Sequence, residues 1–191
     1  MELSFDSLDP WTRVSRLGGS ICLAFYLLFL FYAWRDTSGF LFLDYANLII
    51  HESGHLFFGW GGYTLMILGG TLGELLVPFL CALFFFFHRQ TYGFVFSVFW
   101  FFENFLYVGT YMADARSRNL PLVNSDESDW TILFSKWGVL PHDQTIGHFT
   151  RHLGWLGMFV VLAWLGFRLV RDSQAGPQLR PLEMSPEGKQ N

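Results

Sequence analysis

Charge is what this chain has least of. Only 15% of its 191 residues are Asp, Glu, Lys or Arg, against about a quarter in soluble domains. That shortage excludes an ordinary soluble globule. The little charge present is close to balanced, with 12 Lys and Arg against 16 Asp and Glu and a net charge of -4. No basic run occurs, which removes the footprint expected of a nucleic-acid binder. Cysteine is scarce too. Cys22 and Cys81 both sit in apolar stretches, so a disulfide framework and a thiolate metal site are excluded and packing roles remain. A cleavable signal peptide is not expected. Asp6, Asp9, Arg13 and Arg16 precede the first apolar run and no small-x-small pattern follows it, so that run should be retained as a helix. No internal repeat stands out. What fills the chain instead is apolar: 52% hydrophobic, 20% aromatic, with 23 Phe and 8 Trp. This composition predicts an integral, multi-pass protein of the plasma or inner membrane, whose bilayer is its first partner.

A spanning helix needs about 20 apolar residues. Five stretches qualify on that reading: Leu17 to Trp34, Asp44 to Trp60, Leu65 to Phe87, Tyr92 to Met112, and His148 or Leu153 to Val170. The second is short and ends at Gly61-Gly62. Residues 114–147 form a long polar connection, in which 129–134 and Trp137 can make an amphipathic helix on the membrane surface. That loop is either functional or a structural cap. The expected fold is an all-α polytopic bundle of about five transmembrane helices plus this interfacial loop. It occupies residues 1–171, with a disordered tail over 172–191 rich in Pro, Gly, Gln and Glu.

The second stretch carries His51-Glu52-Ser53-Gly54-His55. HExxH on a helix puts two histidines one turn apart on one face. There they can hold one metal while the glutamate acts as general base toward a water on it. Three ionisable side chains inside a hydrophobic helix are costly and point to function. The alternative is a histidine pair satisfied by hydrogen bonds between helices, with Glu52 a paired carboxyl. A catalytic zinc needs a third protein ligand and an open position. Asp114, at the end of the fourth stretch, is the first choice. His142, His148 and His152 are rivals on the same face, the last two at i,i+4 spacing. His88 lies on the other face. Glu74 and Glu103 are carboxyls at membrane depth, and Asn104 can position substrate or a ligand. The glycines at 61, 62, 69, 70 and 73 allow close helix packing or a re-entrant segment.

These residues resemble the site-2-protease class of intramembrane metallopeptidases, in its small membrane branch. The resemblance rests on HESGH in a hydrophobic helix, the segment from Gly69-Gly70 to Pro78, and Asn104 with Asp114 on a later helix. It covers roughly residues 44–170. It implies one zinc per chain held by His51, His55 and Asp114, Glu52 as the base, Asn104 as a substrate clamp, and hydrolysis of a transmembrane or membrane-proximal peptide. The family's Asp-Gly is Asp114-Ala115 here, and no proline lies between Asn104 and Asp114. Two other readings stand beside it: a non-proteolytic membrane binding or assembly protein that keeps the fold, and a di-metal membrane oxygenase. Oligomeric state and substrate stay open.

Five crossings put the N-terminus, the 114–147 loop and the histidines on one face and the tail on the other. Lys and Arg then divide almost evenly between the faces, and the expected site face is the cytoplasmic one.

Overall fold

Apolar runs without nearby polar partners satisfy their backbone internally, and here they do so as helices. The computed structural model describes residues 11–121 and 127–174, and these residues contain helices and no strand. Helix α1 spans Arg16–Arg35. Ser15 caps it by accepting a hydrogen bond from the Gly18 amide. Helix α2 spans Asp44–Phe58, α3 Tyr63–Phe87, α4 Thr91–Ala113, α5 Asp129–Lys136 and α6 Asp143–Gln174. The sharp reversal between α2 and α3 is a 3-10 turn, Gly59–Gly61, followed by Gly62 at φ 89°, a conformation open to glycine.

Helices α1, α3, α4 and α6 are long and apolar enough to cross a membrane. The bundle is therefore all-α, and its exposed surface is apolar. Helix α2 shows this inversion best. Ile49 and Leu56 are 70% and 85% exposed, while Asp44 and Asn47 are 2% and 1% exposed. Its polar stripe faces inward at helical spacing, the reverse of a soluble amphipathic helix.

The expected count of about five crossings becomes four. At 15 residues, α2 is about 22 Å long, short of a hydrocarbon core of about 30 Å. The chain leaves α1 at its far end and folds back. Leu41 is buried in the main apolar core, the Phe42 ring meets Phe29, and Phe40 meets Tyr107. Helix α2 then starts halfway along α4, where Asn47 meets Trp100 and Glu103. It climbs back to the end where α3 begins. Asp44 holds this inner start by accepting a hydrogen bond from the Leu41 amide at 2.6 Å.

With α1, α3, α4 and α6 running along the bundle, residues 11–16 and 172–174 lie at one end, away from the histidines, whereas the sequence reading expects the N-terminal side of α1 beside them. The Thr12 amide donates to the Arg89 carbonyl in the α3–α4 turn, and the Val14 amide donates to Asp172 near the end of α6. Trp11 packs on Phe86, Phe94 and Trp164. We call this the terminal end and the other the histidine end.

Helix α6 also begins earlier than expected. Asp143 starts it by accepting from the Gln144 amide, and Pro141 lies in the turn before it. The helix extends to Gln174, so residues 172–174 are helical rather than tail. The rest of the expected disordered tail, 175–191, lies outside the described residues, as do 1–10 and 122–126.

Helices meet through glycines. A Cβ on Gly54 of α2 would lie 2.2 Å from the Gly69 carbonyl oxygen of α3, and one on Gly147 of α6 would lie 2.4 Å from the Gly109 carbonyl oxygen of α4. The glycine-rich start of α3 thus serves close packing inside a regular helix.

Candidate metal centre

Helix α2 holds His51 and His55 on its inner face, with ring centroids 4.7 Å apart. The space for His51 comes from α3, where a Cβ on Gly70 would fall 2.4 Å from its Nε2. Each ring presents its Nδ1 to α3. His55 Nδ1 lies 2.8 Å from the Met66 carbonyl oxygen. His51 Nδ1 lies 3.2 Å from Glu74 Oε1. That second contact is close but poorly aligned, and both atoms lack a hydrogen bond that meets strict geometry.

The Nε2 atoms of both rings converge on one carboxylate, Asp129 at the start of α5. Its Oδ2 is 2.9 Å from His51 Nε2 and 3.4 Å from His55 Nε2. Among the described residues, His51, His55 and Asp129 are the group whose ligand atoms gather tightly enough for a metal ion. Bonds of about 2.0–2.1 Å to nitrogen and oxygen put tetrahedral neighbours roughly 3.3 Å apart, close to both spacings. Histidine ligands characteristically direct the other ring nitrogen at a carboxylate or a backbone carbonyl, and Glu74 and Met66 occupy those positions. The three residues could together hold one metal ion. Burial alone would push the Asp129 carboxyl up, but hydrogen bonds from His51 and His55 outweigh it and hold the group below the usual carboxylate range.

Packing brings Asp129 there. The inner face of α5 presents Trp130, Leu133 and Phe134 to a small core with Val108 and Ala115. Tyr111 accepts a hydrogen bond from the Asp129 amide, Thr131 donates to the Ala115 carbonyl, and Lys136 donates to Thr64. Helix α5 is thus plugged into the histidine end. Glu52 is half-buried and makes no hydrogen bond or ion pair with a described residue.

The other expected site residues sit elsewhere. Asp114 closes α4, and its carboxylate is occupied by the chain that follows. It accepts from Ser117 Oγ at 2.6 Å, from the Asn119 amide at 3.0 Å and from the Leu120 amide at 2.9 Å. A helix-end carboxylate satisfies the nearest free amides first, and these lie in its own loop. His142, in the turn before α6, and His148 and His152, in its first turns, are exposed and do not join the cluster. Asn104 is buried and donates to the carbonyls of Glu74 and Trp100, so it ties α4 to α3 rather than facing a substrate.

Two features escaped the sequence reading. Asp129 is the first. Its signal was present, an acidic residue opening an amphipathic segment on the correct end, but nothing local says where a loop helix docks. The second is a polar ladder below the centre. Asn47 donates to Asp44 at 3.1 Å and to Glu103 at 3.3 Å while accepting from Trp100 Nε1 at 2.7 Å.

In comparison with known proteins, no family model, curated protein or solved structure matches this chain.

Proposed function

We propose that this chain is a zinc-dependent membrane peptidase of the site-2-protease kind, hydrolysing peptide bonds within or beside the bilayer. One observation carries the reading: two Nε2 atoms on HExxH converge with the Asp129 carboxylate while both Nδ1 atoms face acceptors on α3. His51, His55 and Asp129 would hold the ion. When bound, zinc would polarise the scissile carbonyl and make water a usable nucleophile near neutral pH. Glu52 would take the proton from that water and return it to the leaving amine. No described residue pairs with it, which supports that role. The Met66 carbonyl orients the His55 ring, Glu74 lies against His51 Nδ1, and α5 covers the site from the end of the bundle. A di-metal oxygenase would need a second ligand set, and the described residues hold one cluster.

On orientation, the described Lys and Arg divide evenly: Arg13, Arg16, Arg89, Arg168 and Arg171 at the terminal end, and Arg35, Arg116, Arg118, Lys136 and Arg151 at the histidine end. The positive-inside rule therefore favours neither face.

The test is metal content and turnover together. Purified protein should carry one zinc, His51→Ala and His55→Ala should lose it, and Glu52→Gln should keep it while peptide cleavage falls by about a hundredfold or more. Cleavage at near-normal rate by Glu52→Gln, or unchanged zinc in both histidine variants, defeats the proposal.

A further inference from the structure

At the histidine end but apart from the histidines, α1, α4 and α6 enclose a cavity of about 310 Å³. The Asp36–Gly39 turn forms one wall, and Thr110 of α4 with Arg151 of α6 forms the other. The turn is built tightly. Asp36 accepts from Ser38 Oγ and from the Gly39 amide, and Gly39 at φ 72° packs where a Cβ would meet Thr110 at 2.7 Å. Arg151 is half-buried and makes no hydrogen bond or ion pair with a described residue. Arg116, Arg118 and Arg168, by contrast, each hold a carboxylate. The Arg151 stem lies over Gly109, whose missing Cβ would meet its Cγ at 2.6 Å. A guanidinium cannot shed its proton, so leaving it partly desolvated and unpartnered is costly. Asp36 lines the same cavity, and it too pairs with no cation among the described residues.

Deeper along the same seam lies an apolar groove of about 440 Å³, lined by Leu30, Phe31 and Trp34 of α1 and by Trp155 and Phe159 of α6. Trp155 lines both the groove and the polar cavity. Residues 30 to 36 of α1 and 159 to 151 of α6 both climb toward the histidine end. Groove and cavity therefore lie end to end, apolar below and charged above. This polarity matches a lipid: a headgroup at the interface and an acyl chain beside the spans.

We propose that this seam binds one phospholipid with a phosphoethanolamine headgroup, its phosphate on Arg151, its ammonium on Asp36 and one acyl chain in the α1–α6 groove. The pair of charges selects the headgroup. An anionic glycerol headgroup would leave Asp36 facing like charge. A choline headgroup has no N–H to donate to it. The continuous groove favours a lipid over a soluble phosphate ester. The inference does not depend on the metal reading.

Full-length protein, delipidated in detergent, would be titrated with phosphatidylethanolamine, phosphatidylcholine, phosphatidylglycerol and water-soluble glycerophosphoethanolamine, with adducts read by native mass spectrometry. Phosphatidylethanolamine should bind best. Arg151→Gln should weaken it about tenfold, the loss of one charge-assisted contact, and Arg118→Gln should not. Asp36→Asn should abolish the preference over phosphatidylglycerol. Phe159→Ala, on the exposed groove wall, should weaken all three lipids while leaving the fold intact. Wild-type affinity in Arg151→Gln overturns the proposal. So does a preference for phosphatidylglycerol in the native protein, or equal binding of the soluble ester, which would mark a small-molecule site instead.

Discussion

His51 and His55 each face two ways, with Nε2 toward Asp129 and Nδ1 toward α3. The pair was legible because i,i+4 spacing on one helix is a local fact. The third member was not, because it comes from an element 78 residues along. Asp114 resembled a ligand in sequence, yet its lone pairs serve Ser117, Asn119 and Leu120. We therefore expect Asp129→Ala to lower zinc affinity by about a hundredfold or more, and Asp114→Ala to change it less than about threefold. Glu74→Gln should fall between, at the roughly 10- to 100-fold typical of an outer-shell partner. Competition with a chelating dye measures all three. Release of the metal by Asp114→Ala but not by Asp129→Ala would place the centre on the wrong carboxylate.

Helix α2 is the element that decides the site. Its apolar outer face and polar inner stripe were written in the sequence, but its shortness mattered more than its composition. At half depth it turns Asp44, Asn47 and His51 inward, while exposed Ser53 satisfies its hydroxyl on the Ile49 carbonyl of its own helix. It reaches α3 only because Gly54 meets Gly69 and Gly70. Gly54→Ala should force the two helices apart or strain them, costing about 1–3 kcal/mol, seen as a lower unfolding temperature. Gly70→Ala intrudes on the His51 ring instead, so it should lose metal before it loses fold. A Gly70→Ala variant with full zinc affinity would mean that His51 does not bind the ion from this rotamer. Helix α5 was readable as amphipathic. That its apolar face enters the bundle rather than lying on its surface depends on the core formed with Val108 and Ala115.

For the whole molecule, the count of crossings fixes which ends meet. Four crossings bring residues 12–16 beside 172–173, with Arg16 donating to the Ser173 carbonyl. In a cysteine-free background with single cysteines at Ser7, Asn119 and Gln174, the first and last should be labelled from one side of the membrane and Asn119 from the other. Labelling of Ser7 and Asn119 from the same side would restore five crossings and remove the re-entrant start of α2.

The sequence alone determined the all-α class, the positions of most helices to within a few residues, and the histidine pair with its glutamate. These follow from local spacing: apolar run length, helical period and glycine position. Only the tertiary structure decided that α2 stops halfway, that residues 12–16 and 172–173 share an end, and that Asp129 rather than Asp114 meets the histidines. Those outcomes depend on which surfaces fill each other's volume. Helix α2 folds back because Leu41 is buried in the core that holds Phe29, with the Phe42 ring against Phe29 at its edge, and Asp129 arrives because Trp130, Leu133 and Phe134 are buried next to it. Neither contact is written in the spacing of residues along one segment. Each is a choice among distant partners, made by burial once the whole bundle is assembled.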